Sequence, residues 1–265
     1  MPPELITNLQ LALNGMATGA IYALVALGLV ITYKATEVLN FAHGDVLMAS
    51  AFVAWGLIVG LGLPFWLAAL LTVASAALLA WQIDARVMRR IVGQPQFAGV
   101  MLTIAIAFML RGLVSMVFGP ESRSYPTPWS QQSTHFGPVV VSDLNLVILA
   151  VALALTALIY VFLRRTALGI AIQAASQNQL AAYLSGIRVK RVTTLVWALA
   201  GAVAGICGLL LAPIALVDIS LWIVILKALA ALVLGGFGSI PGAIVGGLDR
   251  KRTRLKSSHA NISYA

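Results

Sequence analysis

Few residues in this chain are equipped for chemistry, and most of them lie beside long apolar runs. The first group is Asn40, His43 and Asp45 within KATEVLNFAHGDVLMA, residues 34–49. No long loop separates the apolar runs on either side, so these groups are expected at or just within the edge of a membrane. Polar groups at that depth are costly unless paired, and they often mark a pathway. Two readings stand side by side. Asn40 and Asp45 cap a helix start while His43 bonds a turn carbonyl, or the cluster serves a gate or translocation path. The second group is Lys227, near the middle of an apolar run that starts at Ile219. A lysine there cannot easily reach water, and its insertion costs about 2.5–3.5 kcal/mol on translocon scales, so it must face a partner, a carbonyl or a wet cavity. Asn40, His43 and Lys227 are therefore the translocation-path candidates.

The third group is a platform, Arg164 to Arg191, which forms helix readily but is too polar to span a membrane. Asn178 is placed to cap a short helix by accepting from its free N–H groups, and Gly186 suits the left-handed residue just past its end. Leu180, Leu184 and Ile187 are expected to share one side. Five cations, Arg164, Arg165, Arg188, Lys190 and Arg191, bracket the segment and it carries no acid, which places both its ends in the cytoplasm.

The elements that must hold these residues are membrane spans. The chain is 61% hydrophobic and 9% charged, with a mean hydropathy of +0.98, whereas soluble domains are about a quarter charged. Its 265 residues allow seven or eight spans of about 20 residues and no separate soluble domain. The apolar runs are continuous, which argues against a β-barrel. The net charge of +9 sits at span ends and in the last residues, as membrane topology places it, and does not point to nucleic acid. Cys207, the single cysteine, is expected to be a packing residue. The N-terminus lacks the positive region of a secretory signal and is expected to be retained.

Seven spans are expected, at 9–33, 46–61, 64–83, 97–118, 144–163, 193–213 and from 219 onward. Gly15 with Gly19, and Gly201 with Gly205, permit close helix contact. Arg86, Arg89 and Arg90 put residues 84–96 inside, and the Pro-, Ser- and Thr-rich stretch 119–143 is then the outer loop. Arg111 lies within the fourth span, and its stem is expected to snorkel about 10 Å to the outer interface. The glycines and proline of residues 235–247 break the seventh span. The tail 249–265 is basic and polar and reads as disordered.

No nucleotide-binding loop, metal-ligand spacing, nucleophile elbow or paired-acid motif is present, and the three histidines are far apart, so an enzyme is the weaker class. LNFAHGD at 39–45, ASQNQLAAYLSGIRVKRV in the platform and LKALAALVLGGFGSIPGAIVGG at 226–247 together resemble the permease subunits of branched-chain amino acid ABC importers, the LivH/LivM-type family. The resemblance covers nearly all of residues 5–247. It implies an all-α polytopic transmembrane helical bundle of the bacterial inner membrane, here about seven spans plus an aborted eighth, with residues 1–248 as the permease domain. It further implies a second permease subunit, two cytoplasmic ATPase subunits that bind the ATP, and a periplasmic substrate-binding protein; this chain itself carries no cofactor. By the same similarity, Asn178 to Gly186 forms the helix that docks in an ATPase groove, and Asn40, His43 and Lys227 match the family's motifs. Gln179 stands where the family commonly has proline. After Gly247 the family's next hydrophobic segment is replaced by a tail that would meet membrane lipid, and a frameshift, deletion or misjoined reading frame is the favoured account of it. A urea or short-chain amide permease, a stand-alone channel or gradient-driven carrier, and a truncated non-functional copy are the alternatives.

Overall fold

The computed structural model describes residues 3–91, 94–129, 133–136 and 139–235. Its helices are α1 (Pro3–Thr36), α2 (His43–Trp55), α3 (Phe65–Gln82), α4 (Gln96–Phe118), α5 (Asp143–Arg165), α6 (Ala167–Gln177), α7 (Gln179–Leu184), α8 (Val189–Ala215) and α9 (Val224–Gly235). A π-helical turn, Gly56–Gly60, prolongs α2; α3 runs on through a second, Ile83–Val87, into a 3-10 turn, Met88–Ile91. Another 3-10 turn, Ile219–Ile223, leads into α9. Strands β1 (Ser133–Phe136) and β2 (Val139–Ser142) pair antiparallel between α4 and α5, with Ser133 opposite Ser142.

Among the described residues, six stretches are long and apolar enough to cross a membrane: Asn14–Thr36, His43–Gly60, Phe65–Ile91, Gln96–Phe118, Asp143–Arg165 and Val189–Ala215. The seventh expected span is the shorter apolar stretch Ile219–Val233. The aborted eighth span and the tail lie outside the described residues. The protein is a polytopic helical bundle.

Its layering follows from side-chain size. The stretches of α1, α2 and α8 are 83%, 61% and 72% buried within the chain, against 28%, 28% and 22% for those of α3, α4 and α5. The first three form the centre, and the other three present leucine, phenylalanine and methionine outward, as lipid-facing helices do. Close approach is achieved by small residues. A Cβ at Gly201 would lie 2.5 Å from the Ala76 carbonyl oxygen and from the Ala80 Cβ, and one at Gly208 would collide with the Leu47 carbonyl. With no room for side chains there, α8 lies directly on α3 and α2, and Trp197, Phe52 and Leu47 fill the space around them.

Inside the membrane every backbone and hydroxyl group needs a partner. Thr32 and Ser50 meet this by donating to their own helix, to the carbonyls of Gly28 at 2.9 Å and Val46 at 2.6 Å. In the loop after α4, residues 122–125 are clamped to the end of α8. Arg123 and Val217 exchange backbone hydrogen bonds of 2.9 and 2.8 Å, and the Tyr125 hydroxyl donates to the Leu209 carbonyl at 2.7 Å. The Arg123 guanidinium lies 4.1 Å from the centre of the Trp55 ring and donates to the Phe118 carbonyl.

Candidate functional site

The link between α1 and α2 dives into the bundle. Glu37 ends α1 at a φ of 57°, and its carboxylate accepts from the Gln96 amide at 3.3 Å, so it lies level with the start of α4. The chain then climbs along α4. Val38 is packed where a Cβ on Gly99 would collide with it, and the Thr103 hydroxyl donates to the Leu39 carbonyl at 3.2 Å and accepts from the Phe41 N–H at 3.2 Å. Thr103 is seven residues into α4, about 10 Å along its axis, so α2 starts beside the body of that span and not at its end. Asn40 and His43 are therefore well inside the bundle, a correction to their expected place at its edge.

Capping does not explain them. The residue before α2 is Ala42, and no side chain caps the helix. Asn40 and His43 are both buried, and Asn40 Oδ1 and His43 Nε2 have no hydrogen-bond partner among the described residues. His43 occupies space that only a glycine on α1 leaves open: a Cβ on Gly28 would lie 2.5 Å from His43 Nε2. Asn40 also borders a small crevice between α1 and α9, walled by Leu29, Phe41, Ile225 and Leu229.

Asp45 has a partner that the sequence reading missed. Arg111 on α4 grips it with two hydrogen bonds, Nε to Oδ1 at 3.0 Å and Nη2 to Oδ2 at 3.2 Å. Asp45 is 1% exposed. The guanidinium also stacks on Trp222, 3.9 Å from the ring centre, with Phe108 at 5.2 Å. Arg111 does not snorkel outward: a bidentate carboxylate with an aromatic face satisfies a planar guanidinium better than a stretched reach to the interface. The node ties α2, α4 and the turn before α9 together about 22 Å from the inner end of α4, by the helix rise.

Lys227 stands apart from Asn40 and His43. It lies on the outer surface of the chain near the buried start of α2, because Ile225, two residues earlier, packs where a Cβ on Gly44 would sit. Its ammonium donates to the Tyr22 hydroxyl at 3.4 Å and is 5.6 Å from the centre of the Tyr22 ring. The three path candidates thus divide into two buried groups within the subunit and one cation on its outer face.

The platform folds as two helices. Thr166 caps α6, accepting from Gly169 N–H at 3.0 Å. Asn178 caps α7, accepting from Ala181 N–H at 2.9 Å. Gly186, at a φ of 84°, closes α7 by donating to the Tyr183 carbonyl, while Ile187 N–H reaches the Ala182 carbonyl, each at 3.0 Å. This is the paired end of a Schellman motif, in which the residue after the glycine folds back on the helix. That fold decides the exposed face. Ile187 is half-buried against the core, and the outward apolar set is Leu180, Tyr183 and Leu184, exposed by 68%, 68% and 76%. The signal for Tyr183 was its three-residue step from Leu180. Gln179 reaches from α7 to the Ala35 carbonyl at the end of α1, at 3.4 Å, a contact that proline could not make.

The described residues bring together no three His, Cys, Asp or Glu side chains able to hold a metal ion. Residues 11–248 match the family model for the branched-chain amino acid transport system permease component. The chain is 30% identical over 264 aligned residues to the "High-affinity branched-chain amino acid transport system permease protein LivH" of Salmonella typhimurium and to that of Escherichia coli strain K12, covering 94% of this chain and 85% of each relative. It is 28% identical over 260 residues to the "High-affinity branched-chain amino acid transport system permease protein BraD" of Pseudomonas aeruginosa, covering 93% and 85%. No solved structure matches.

Proposed function

This chain belongs to the family of permease components of branched-chain amino acid transport systems and is a polytopic inner-membrane protein, and we propose that it is one permease subunit of an ABC importer. It moves branched-chain amino acids inward by alternating access, and the ATP is bound and hydrolysed by two cytoplasmic subunits. A second permease completes the path, and a periplasmic binding protein delivers substrate. The observation that carries the reading is the short capped helix α7, which holds Leu180, Tyr183 and Leu184 exposed on the surface of the chain.

Three large apolar side chains on a six-residue helix are an anchor in need of a groove. Force applied there has a defined route. Gln179 passes it to the end of α1, which continues into residues 37–42 and so to the buried start of α2; the Schellman turn passes it to α8. Both routes converge on the central helices. Lys227 faces the second permease, since protein or water beside it relieves a cost that lipid would impose.

Leu180→Asp with Leu184→Asp in the assembled transporter tests the reading. ATP hydrolysis is expected to continue without uptake, or the ATPase subunits to fall away. Wild-type uptake in this variant would refute the docking role.

A further inference from the structure

A cavity of about 510 Å³ opens between the inner ends of α1, α3 and α4 and the platform. The transport reading does not account for it. Its volume falls within the range of small-molecule pockets. Its wall carries both signs of charge: Glu37, at the end of α1, and Asp84 are the acids, and Arg89 and Lys190 the cations. Val38, Met88 and Ile91 add apolar surface.

The two poles are held by different means. Glu37 sits at a left-handed residue and is steadied by Gln96, which leaves carboxylate lone pairs open. Arg89 is fixed through one amino group, which donates to the Thr194 hydroxyl at 2.6 Å and to the Lys190 carbonyl at 3.2 Å. Its five donors are not exhausted by these bonds. Asp84 lies 3.9 Å from Arg89 Nε and accepts from Thr194 at 2.5 Å, so it fixes the arginine without facing a ligand alone. The 83–87 stretch that carries Asp84 and leads to Arg89 is a π-helical turn, a feature frequent at functional sites.

We propose that this cavity is a cytoplasmic binding site for a small zwitterion of the α-amino acid class. Arg89 and Lys190 take the carboxylate, Glu37 takes the ammonium, and the apolar wall takes an aliphatic side chain. Asn178 and Gln179, at the start of α7, also border the cavity. An occupant therefore bridges the coupling helix to α1 and α3, resists their relative movement, and slows import when the product accumulates inside. The proposal rests on the transport reading only for what occupancy regulates; the binding step stands separately.

Two measurements test it. Radiolabelled leucine is bound to the purified chain in nanodiscs, and ATP-driven uptake is followed in proteoliposomes with leucine supplied on the ATPase side. Saturable binding is expected, weakened about tenfold or more by Glu37→Gln and by Lys190→Gln, two substitutions of exposed side chains. In vesicles, leucine on that side is expected to lower the initial uptake rate several-fold. Leucinamide, which lacks the carboxylate, and 4-methylpentanoate, which lacks the ammonium, should not do so at equal concentration. Absent binding, binding unchanged in both variants, or equal inhibition by the two analogues overturns the site. Failure of ATP-driven uptake under all conditions would count against the transport reading instead, and the nanodisc result would still decide the site.

Discussion

Replacing Arg111 with methionine isolates the electrostatics of the membrane interior, because it removes the grip on Asp45 and leaves a carboxylate 1% exposed among apolar helices. An uncompensated buried charge of this kind costs about 3–5 kcal/mol. Loss of the Trp222 stack adds about 0.5–2 kcal/mol. Unfolding by SDS in mild detergent, followed through tryptophan fluorescence, reads the difference. Arg111→Met should lose about 3.5–7 kcal/mol. Adding Asp45→Asn removes the charge itself, and the double variant should lie within about 2 kcal/mol of the parent. An Arg111→Met variant as stable as the parent, or a double variant no better than the single one, would refute the reasoning.

Gly28→Ala forces a methyl group against the His43 ring and should cost about 1–3 kcal/mol in the same unfolding assay; His43→Ala in that background should return part of it, and strict additivity would show that the two sites do not touch. Lys227→Ala should slow uptake by the assembled transporter while ATP hydrolysis persists, and unchanged uptake would remove Lys227 from the path. In the clamp after α4, a 2.6 Å hydrogen bond from Ser122 and then bonds from Ser220 hold the Asp218 carboxyl below the usual carboxylate range. A group depressed on folding stabilises above its unfolded pKa and loses that effect as pH falls through its folded value. The clamp should therefore loosen only below about pH 4, seen as increased proteolysis of residues 119–129, and Ser122→Ala should weaken that acid dependence.

Local features were legible from local residues. Continuous apolar runs place the spans, and Asn178 and Gly186 each do at the ends of α7 what their side chains and backbone dictate. Ile187 was misread because simple periodicity carries a helix face past its end, whereas the glycine turn folds the next residue back against the core, where it is half-buried. The re-entrant start of α2 was hidden for a different reason. Polar residues between two apolar runs look like an interface, and only Thr103 on another helix, bonding Leu39 and Phe41, draws them inward. Asp45 and Arg111 are 66 residues apart, and each alone reads as an edge group. The one available signal was that two opposite charges lie within apolar runs, which makes pairing cheaper than two separate routes to water.

The distance along the chain between Asp45 and Arg111 also sets a waiting time. At roughly 5–20 residues per second, the 66 residues between them take about 3–13 s to synthesise. Throughout that interval the second span carries a charge whose partner does not yet exist. Its mean hydropathy of 1.4 is the lowest of the six candidate spans among the described residues, so its own apolar content offsets that charge least. Loss of Arg111 leaves the charge without its partner after synthesis as well as during it.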